Sequence, residues 1–471
     1  MFLCREEELS VLNSHYNSEL LECAVIYGRR RIGKTALINE FCKDKPTIFY
    51  SALNSNGQDN LDSLSKSLHT FLHGESNSYP VYNSFDDLFS QITNILKDNK
   101  RIVFVIDELP YLVKSDKSIL SRLQHLIDRD WANSKLFLIL CGSSISFMEN
   151  NVLSGKSPLF GRRTMQLRIK PLTYIDSAKF NPNLSNNDKA IMYGITGGIP
   201  HYINKLACRK SIKESLLSNL FDSSSYLYEE PYNLLKQELR EPGTYNSIIT
   251  AIAKGESKLN KIAKSAHIER DVCNRYIKTL MEIQIVNKIE PIVDKNKKKV
   301  QYVIDDNFFK FWYRFIPKNN NAIIMGTIKD IYDDVVGSYM SEYMGYIFEE
   351  MCKQYLMYHI KDLPFIPSNI GKWWGNSVDN KSAELDIVCL GPKASNKKES
   401  KQFIIASCKY TNEKVGEDEL ELIKKYSLSF ASKDDKCYYY IFSKSGFKNS
   451  LLNKEKIGEV KLISLDDLYS K

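Results

Sequence analysis

Long apolar runs are missing from this sequence. Its most hydrophobic stretches, Ile102 to Ile106 and Leu136 to Cys141, are only strand-length. They fall far short of the roughly 20 residues a membrane-spanning helix needs, so no membrane segment is expected. Secretion is not expected either: Met1-Phe2-Leu3-Cys4 turns acidic at Glu6, Glu7 and Glu8, the reverse of a basic segment followed by an apolar one. The ten cysteines, scattered from Cys4 to Cys437, include no Cys-x-x-Cys pair and no regular spacing. They read as reduced core thiols acting as small hydrophobes in a cytoplasmic protein. Internal repeats and low-complexity tracts are absent beyond short Lys/Asn/Ser clusters such as Ser395 to Lys401, which read as surface turns.

What remains is an ordinary folded composition, with 43% hydrophobic and 26% charged residues, over 471 residues. That length calls for roughly two to four domains. The formal net charge of +8 fits either nucleic-acid contact or simple solubility. Short apolar runs at 22–27, 47–51, 102–106 and 136–141 alternate with segments of helical periodicity, the pattern of a buried parallel sheet flanked by helices. From Pro171 to about Arg240 the strand signal gives way to amphipathic segments, at Ile175 to Phe180, Asn187 to Tyr193 and Tyr202 to Leu206, which read as a helical lid. Residues 244–316 then give three helices and a hairpin (Ile285 to Ile292, a basic turn over 294–299, Val300 to Ile304), the order of a winged helix. Lys318-Asn319-Asn320-Asn321 reads as a linker. Beyond it, a helix over about 338–358 and strands at 384–390, 402–408, 437–442 and 459–463 form a last unit. The expected domains are 1–170, 171–240, 241–317 and 330–471.

Gly28-Arg29-Arg30-Arg31-Ile32-Gly33-Lys34-Thr35 fits G-x-x-x-x-G-K-[ST] and lies between an apolar strand and a helix beginning near Ala36, as a phosphate-binding loop must. Its glycines let backbone N–H groups and the helix N-terminus face an anion. Lys34 is expected to reach the β- and γ-phosphates of a nucleotide, and the Thr35 hydroxyl to ligate Mg²⁺. Ile102 to Ile106 ends in Asp107-Glu108. This pair is expected to supply a Mg²⁺ ligand from Asp107 and a carboxylate on Glu108 that polarises the attacking water. Leu136 to Cys141 ends in Gly142-Ser143-Ser144, making Ser143 the candidate phosphate sensor. Arg162, in Phe160-Gly161-Arg162-Arg163, is the candidate arginine for transferred charge, on its own nucleotide or a neighbouring subunit's.

These boxes, together with Phe2-Leu3-Cys4-Arg5-Glu6, Asp107-Glu108-Leu109-Pro110-Tyr111-Leu112, Thr196-Gly197-Gly198-Ile199-Pro200, Phe311-Trp312-Tyr313-Arg314-Phe315, Trp373-Trp374-Gly375 and Glu384-Leu385-Asp386, resemble the archaeal-type ATPases of the AAA+/STAND group. Members of that group carry a winged helix and a C-terminal PD-(D/E)xK nuclease-like domain. The resemblance covers nearly the whole chain. It implies an α/β fold: a P-loop parallel sheet with a helical lid, then a winged helix and a restriction-endonuclease-like α/β domain. It also implies ATP as the nucleotide, bound by Arg5 and by Gly28 through Ala36, and an ATP-driven switch coupled to a nucleic-acid-facing tail. Double-stranded DNA is the candidate partner, through the winged helix and the C-terminal domain, and a second copy of the chain is a candidate partner if Arg162 acts between subunits.

In the winged helix, residues 259–264 read as the second helix and 269–283 as the recognition helix. Val272, Tyr276, Leu280 and Ile283 are expected to face its core, leaving Arg270, Asn274, Arg275 and Lys278 outward, with Lys297, Lys298 and Lys299 reaching phosphates from the wing. The competing reading packs this module on the ATPase core. In the tail, Asp386 and Lys409 fit the nuclease pattern, but Ser407 stands where the pattern has Glu. Glu384, on the same strand face as Asp386, and Glu349, on the preceding helix, are the candidate replacement ligands for a second Mg²⁺. Either the carboxylate has migrated and the site cleaves DNA, or the fold is a relic kept for binding or assembly. Trp373 and Trp374 are expected to stack on bases or to anchor a core.

Overall fold

The structure is a computed structural model that describes residues 2–207, 211–293, 299–392 and 400–470. Its contacts divide the chain into one unit formed by Met1–Pro171 with Ile199–His201 and another formed by Leu172–Gly198 with Tyr202–Lys471.

In the first unit, β1 (Glu22–Tyr27), β2 (Thr47–Ser51), β3 (Ile102–Asp107), β4 (Leu136–Gly142) and β5 (Met165–Arg168) form one sheet in the order β2-β3-β4-β1-β5. All its pairings are parallel. The central strands are apolar at nearly every position because helices cover both faces. Cys23, Val25, Phe104, Ile106, Leu138 and Leu140 enter one core, while Ala24, Ile26, Val103, Val105, Phe137 and Ile139 enter the other. Each such fully buried Val, Ile, Leu or Phe contributes about 1.5–3 kcal/mol relative to exposure. β5 was not among the strands expected from the sequence. At four residues, with Met165 buried and Leu167 half-buried but Gln166 and Arg168 exposed, it is an edge strand without a continuous apolar run.

The second unit begins with helices. Asn186–Thr196 packs against Asn307–Phe315 and Ser338–Tyr358. The Tyr343 hydroxyl donates to the Gly194 carbonyl at 2.6 Å and lies 3.0 Å from the Asn307 carbonyl. A Cβ on Gly194 would stand 2.6 Å from Met344 Sδ, so the glycine permits that close approach. Phe311, Phe315 and Tyr343 stack edge-on or tilted in the same core. The box Phe311 to Phe315 is therefore packing. Pro317–Asn319 and Asn320–Ile324, where the sequence reads as a linker, are helical turns.

Between these elements lie helices Pro242–Ala253, Leu259–Ser265 and Arg270–Glu282 and an antiparallel hairpin of β6 (Val286–Ile289) and β7 (Gln301–Ile304). The buried stripe of Arg270–Glu282 is Cys273, Ile277 and Leu280. Val272, Tyr276 and Ile283 are half-buried, so the expected face is rotated by one residue; the Tyr276 hydroxyl is spent on Glu241. Arg270, Arg275 and Lys278 are exposed and Asn274 is half-buried. Lys297 and Lys298 lie outside the described residues. Lys299 does not project as an open tip: its Nζ stands 3.3 Å from where a Cβ on Gly375 would be, and nearby the Ile292 N–H donates to the Lys372 carbonyl at 2.8 Å.

The last sheet runs β12-β11-β10-β9-β8, with β8 (Asn369–Asn376), β9 (Ser382–Leu390), β10 (Gln402–Lys409), β11 (Lys436–Ser443) and β12 (Lys461–Ser464). It is mixed: β10, β11 and β12 are mutually parallel, while β9 runs antiparallel to β10 and β8 antiparallel to β9. β8 was not expected, and it carries the tryptophan pair. Trp373 is 4% exposed and packs on Phe430 at 5.2 Å, which makes it core and removes it as a base-stacking surface. Trp374 is half-buried.

Candidate nucleotide site and a second polar cleft

β1 delivers Gly28 to the loop with φ +155°, and a Cβ there would stand 2.5 Å from the Ile169 carbonyl oxygen. Gly33, at φ +94°, begins the helix Lys34–Cys42. Only glycine fits both demands, and the result is a loop wrapped on itself at a helix N-terminus. Arg31 is also left-handed, at φ 69°.

Lys34, 6% exposed, donates to the carbonyls of Gly28 and Arg29 at 2.9 and 3.0 Å. Burial pulls its pKa below the ordinary lysine value, while the negative charge of Glu108 and Asp107 acts the other way. An ammonium folded onto its own loop is poised to exchange two carbonyls for phosphate oxygens. Thr35 Oγ1 donates to Asp107 Oδ2 at 2.9 Å. A hydroxyl and a carboxylate in contact are the oxygen donors that a hard divalent cation takes, so the residues fit nucleotide with Mg²⁺. Asp107 Oδ1 in turn accepts the Glu108 N–H at 3.0 Å.

Glu108 leaves β3 in the left-handed region, φ 52° and ψ 43°, ahead of the helix Leu109–Ser115. Its Oε2 accepts the Ser143 hydroxyl at 2.8 Å and stands 3.4 Å from the Ser143 nitrogen. The strand order makes this meeting possible, because β4 lies between β3 and β1. Arg30 donates to the Tyr111 hydroxyl and sits 5.8 Å from the centre of its ring. Arg5, buried at the start of the chain, donates to the Ile32 carbonyl at 3.3 Å and the Lys170 carbonyl at 2.8 Å. It braces the loop through backbone. Ala36 follows on the first turn of the helix and is exposed.

Arg162 is not brought to this loop. Its guanidinium pairs with both oxygens of Asp128 at 2.7 Å and donates to the Pro158 and Phe160 carbonyls at 3.0 Å. Pro200, absent from the candidate residues, does belong here: its Cγ lies 3.8 Å from where a Cβ on Gly33 would be. The signal was present in the run of two glycines before Ile199-Pro200. Gly198 has φ +69°, and a Cβ there would stand 2.0 Å from the Leu172 carbonyl oxygen.

In the second unit, Glu384, Asp386, Ser407, Lys409 and Glu419 line one cleft. Asp386 Oδ2 accepts the Cys408 N–H at 2.8 Å and lies 3.5 Å from Ser407 Oγ. Burial raises its pKa above the usual aspartate value. Ser407 donates to Glu419 Oε1 at 2.7 Å, and Lys409 pairs with Glu419 Oε2 at 3.1 Å. Glu419 was missed because it sits on the following helix, Glu417–Ser427, outside any strand pattern. Glu349 and Glu384 instead share Lys372, at 2.6 and 2.9 Å. Burial pushes Glu349 up to about 7. Among the described residues, no group of three or more His, Cys, Asp or Glu side chains is placed to hold a metal ion. Glu349, Glu384 and Asp386 therefore do not converge as the expected ligand set, because Lys372 draws the two glutamates to itself. No helix of the described residues is long and apolar enough to cross a membrane.

Residues 2–206 match an ATPase domain predominantly from Archaea, and residues 312–421 match a family of archaeal and bacterial proteins of unknown function. An uncharacterized protein of Methanocaldococcus jannaschii is 35% identical over 393 residues, covering 83% of this chain and 84% of its own length. An uncharacterized ATP-binding protein of the same organism is 25% identical over 280 residues, 50% of this chain and 76% of its own. Among solved structures, the Walker-type ATPase of Pyrococcus abyssi aligns with a TM-score of 0.49 at 18% identity, over 66% of this chain and 96% of that one.

Proposed function

We propose that this chain, which belongs to the family joining an archaeal-type ATPase domain to a C-terminal domain of unknown function, is an ATP-hydrolysing switch whose nucleotide state is passed to a nucleic-acid-facing second unit. Lys34 and the loop N–H groups hold the phosphates, Thr35 and Asp107 offer oxygens to Mg²⁺, and Glu108 takes a proton from the attacking water. Bound Mg²⁺ supplies charge neutralisation for the phosphates.

One observation carries the coupling. The helix Asn186–Thr196 packs on Ser338–Tyr358 within the second unit, and just past its end the chain re-enters the first unit at Ile199–His201, with Pro200 beside Gly33. A change at the loop is thus linked, through the short left-handed turn of Gly197 and Gly198, to a helix that packs on the tail. Support for nucleic acid comes from the exposed Arg270, Arg275 and Lys278 on one helix and from the net charge of +8, since basic side chains on a recognition helix are what phosphates attract.

Phosphate release with Mg-ATP, with and without duplex DNA, tests the coupling. We expect DNA to raise turnover several-fold in wild type and not in the Arg275→Ala/Lys278→Ala double variant. Equal rates with and without DNA, and no DNA binding, would remove the nucleic-acid arm and leave protein partners. A second reading, a Mg²⁺-dependent nuclease, draws on Glu419 beside Lys409 and Ser407, a carboxylate near the position where the nuclease pattern has lost one. It requires plasmid cleavage that disappears in Asp386→Ala.

A further inference from the structure

β8 is the last strand of the tail sheet, and an edge strand presents N–H and C=O groups that a folded protein has to cover. Here the hairpin of β6 and β7 reaches over to it. Just past β6, Pro291 is buried and the Ile292 N–H donates to the Lys372 carbonyl at 2.8 Å. Ile292 and Val293 pack against the tail core that contains Trp373, Leu385 and Val388. Gly371 leaves little room to spare: a Cβ there would stand 3.3 Å from the Ile292 Cβ. The residue that receives this backbone bond is also the one whose side chain neutralises the tail's glutamates. Between Gly371, opposite Val388, and Trp373, opposite Leu385, the β8–β9 register slips, so Asp386 and Ile387 face Lys372 alone. Such a bulge re-aims the side chains around it. The Lys372 ammonium meets Glu349 at 2.6 Å and Glu384 at 2.9 Å.

We propose that residues 291–293 are an internal strap that, docked on the β8 edge, fixes Lys372 between Glu349 and Glu384 and so keeps those acids neutralised; Lys372 is the positioning residue through which the hairpin acts on the tail. An ammonium on a flexible four-carbon stem stays where its surroundings hold it. With its carbonyl tied to Ile292, the bulge keeps one shape and the ammonium stays between the two carboxylates. With the strap off the edge, β8 loses both a backbone hydrogen bond and the apolar packing of Ile292, and local opening there becomes easier. What the three helices and hairpin pass to the tail is therefore movement of the hairpin, rather than a change at the exposed face of Arg270–Glu282. This holds whatever ligand that helix takes.

Acylation of lysine side chains in the full chain, followed residue by residue by mass spectrometry, tests whether the strap holds Lys372. An ammonium between two carboxylates rarely gives up the proton that acylation requires it to lose. The variants are Ile292→Ala and the double variant Ile292→Cys/Gly371→Cys, whose side chains are close enough for a disulfide, with the cross-link formed and after its reduction. Lys409, paired with Glu419 and carried by β10, two strands from β8, is the control: general unfolding exposes both lysines, and loss of the strap frees only one. We expect Ile292→Ala to speed acylation of Lys372 about 5- to 10-fold with Lys409 unchanged, and the double variant to react slowly while cross-linked and fast once reduced. Lys372 reacting at the wild-type rate in Ile292→Ala, Lys372 and Lys409 speeding together, or a Lys372 rate that is the same before and after reduction of the cross-link would overturn the proposal.

Discussion

The nucleotide loop and the tail cleft are both polar sites at strand ends, yet they are satisfied in opposite ways. At the loop, the buried Lys34 ammonium is held by neutral carbonyls, and the acids Asp107 and Glu108 are held by hydroxyls and N–H groups. Neutral partners are given up at modest cost when a charged ligand arrives. In and beside the cleft, Asp386 is held by the Cys408 N–H, but the glutamates are paired with lysines: Glu349 and Glu384 with Lys372, Glu419 with Lys409. A ligand cation there must displace an ammonium that already neutralises the acids. The first arrangement is prepared for charge, and the second is already neutralised. The contrast supports placing chemistry at the loop and a holding role in the tail.

The most damaging change to this contrast is to fill the loop. Gly28→Ala sets a methyl 2.5 Å from a backbone oxygen; we expect a loss of about 2–3 kcal/mol in thermal or urea unfolding together with loss of ATP binding. Lys372→Met should cost a comparable amount, about 3 kcal/mol, because it leaves Glu349 buried without its partner; unfolding at pH 8 measures it. A smaller effect is the pH dependence of the wild type. Glu349 titrates near about 7 in the fold and near about 4.3 when unfolded. The unfolded chain therefore loses that proton first, and the contribution is full below about pH 4.3 and fades as pH rises towards 7. Glu349→Gln should flatten that slope. The smallest change is expected from Arg162→Ala. Its pair with Asp128 is partly open to solvent, so stability should barely move, and turnover at low protein concentration should stay at the wild-type rate. A strong loss of turnover there would return Arg162 to the nucleotide.

The two sites also differ in how far they could be read from sequence. The loop and the Asp107-Glu108 pair are contiguous motifs on strands whose apolar runs announce them, so residue type and spacing sufficed. The Ser143–Glu108 contact depends on β4 lying next to β3, which no local pattern encodes; only the assumption of strand order placed Ser143 nearby. In the cleft, Asp386 and Lys409 lie on strands, but Glu419 comes from the helix that follows Lys409 and Lys372 from a strand, β8, whose Gly371 and Gly375 obscure its period. The face of Arg270–Glu282 was misread because the half-buried Val272 and Tyr276 stripe runs alongside the buried Cys273 and Ile277 stripe, and a small buried cysteine weighs little against a tyrosine in any hydrophobic pattern.

That the first unit hydrolyses ATP with Lys34 and Glu108 is tested most directly by phosphate release from Mg-ATP in wild type, Lys34→Ala and Glu108→Gln, with nucleotide binding followed in parallel. We expect turnover in wild type, weak binding and no turnover in Lys34→Ala, and retained binding with turnover reduced at least about 100-fold in Glu108→Gln. Turnover unchanged by either substitution would contradict the assignment of both residues.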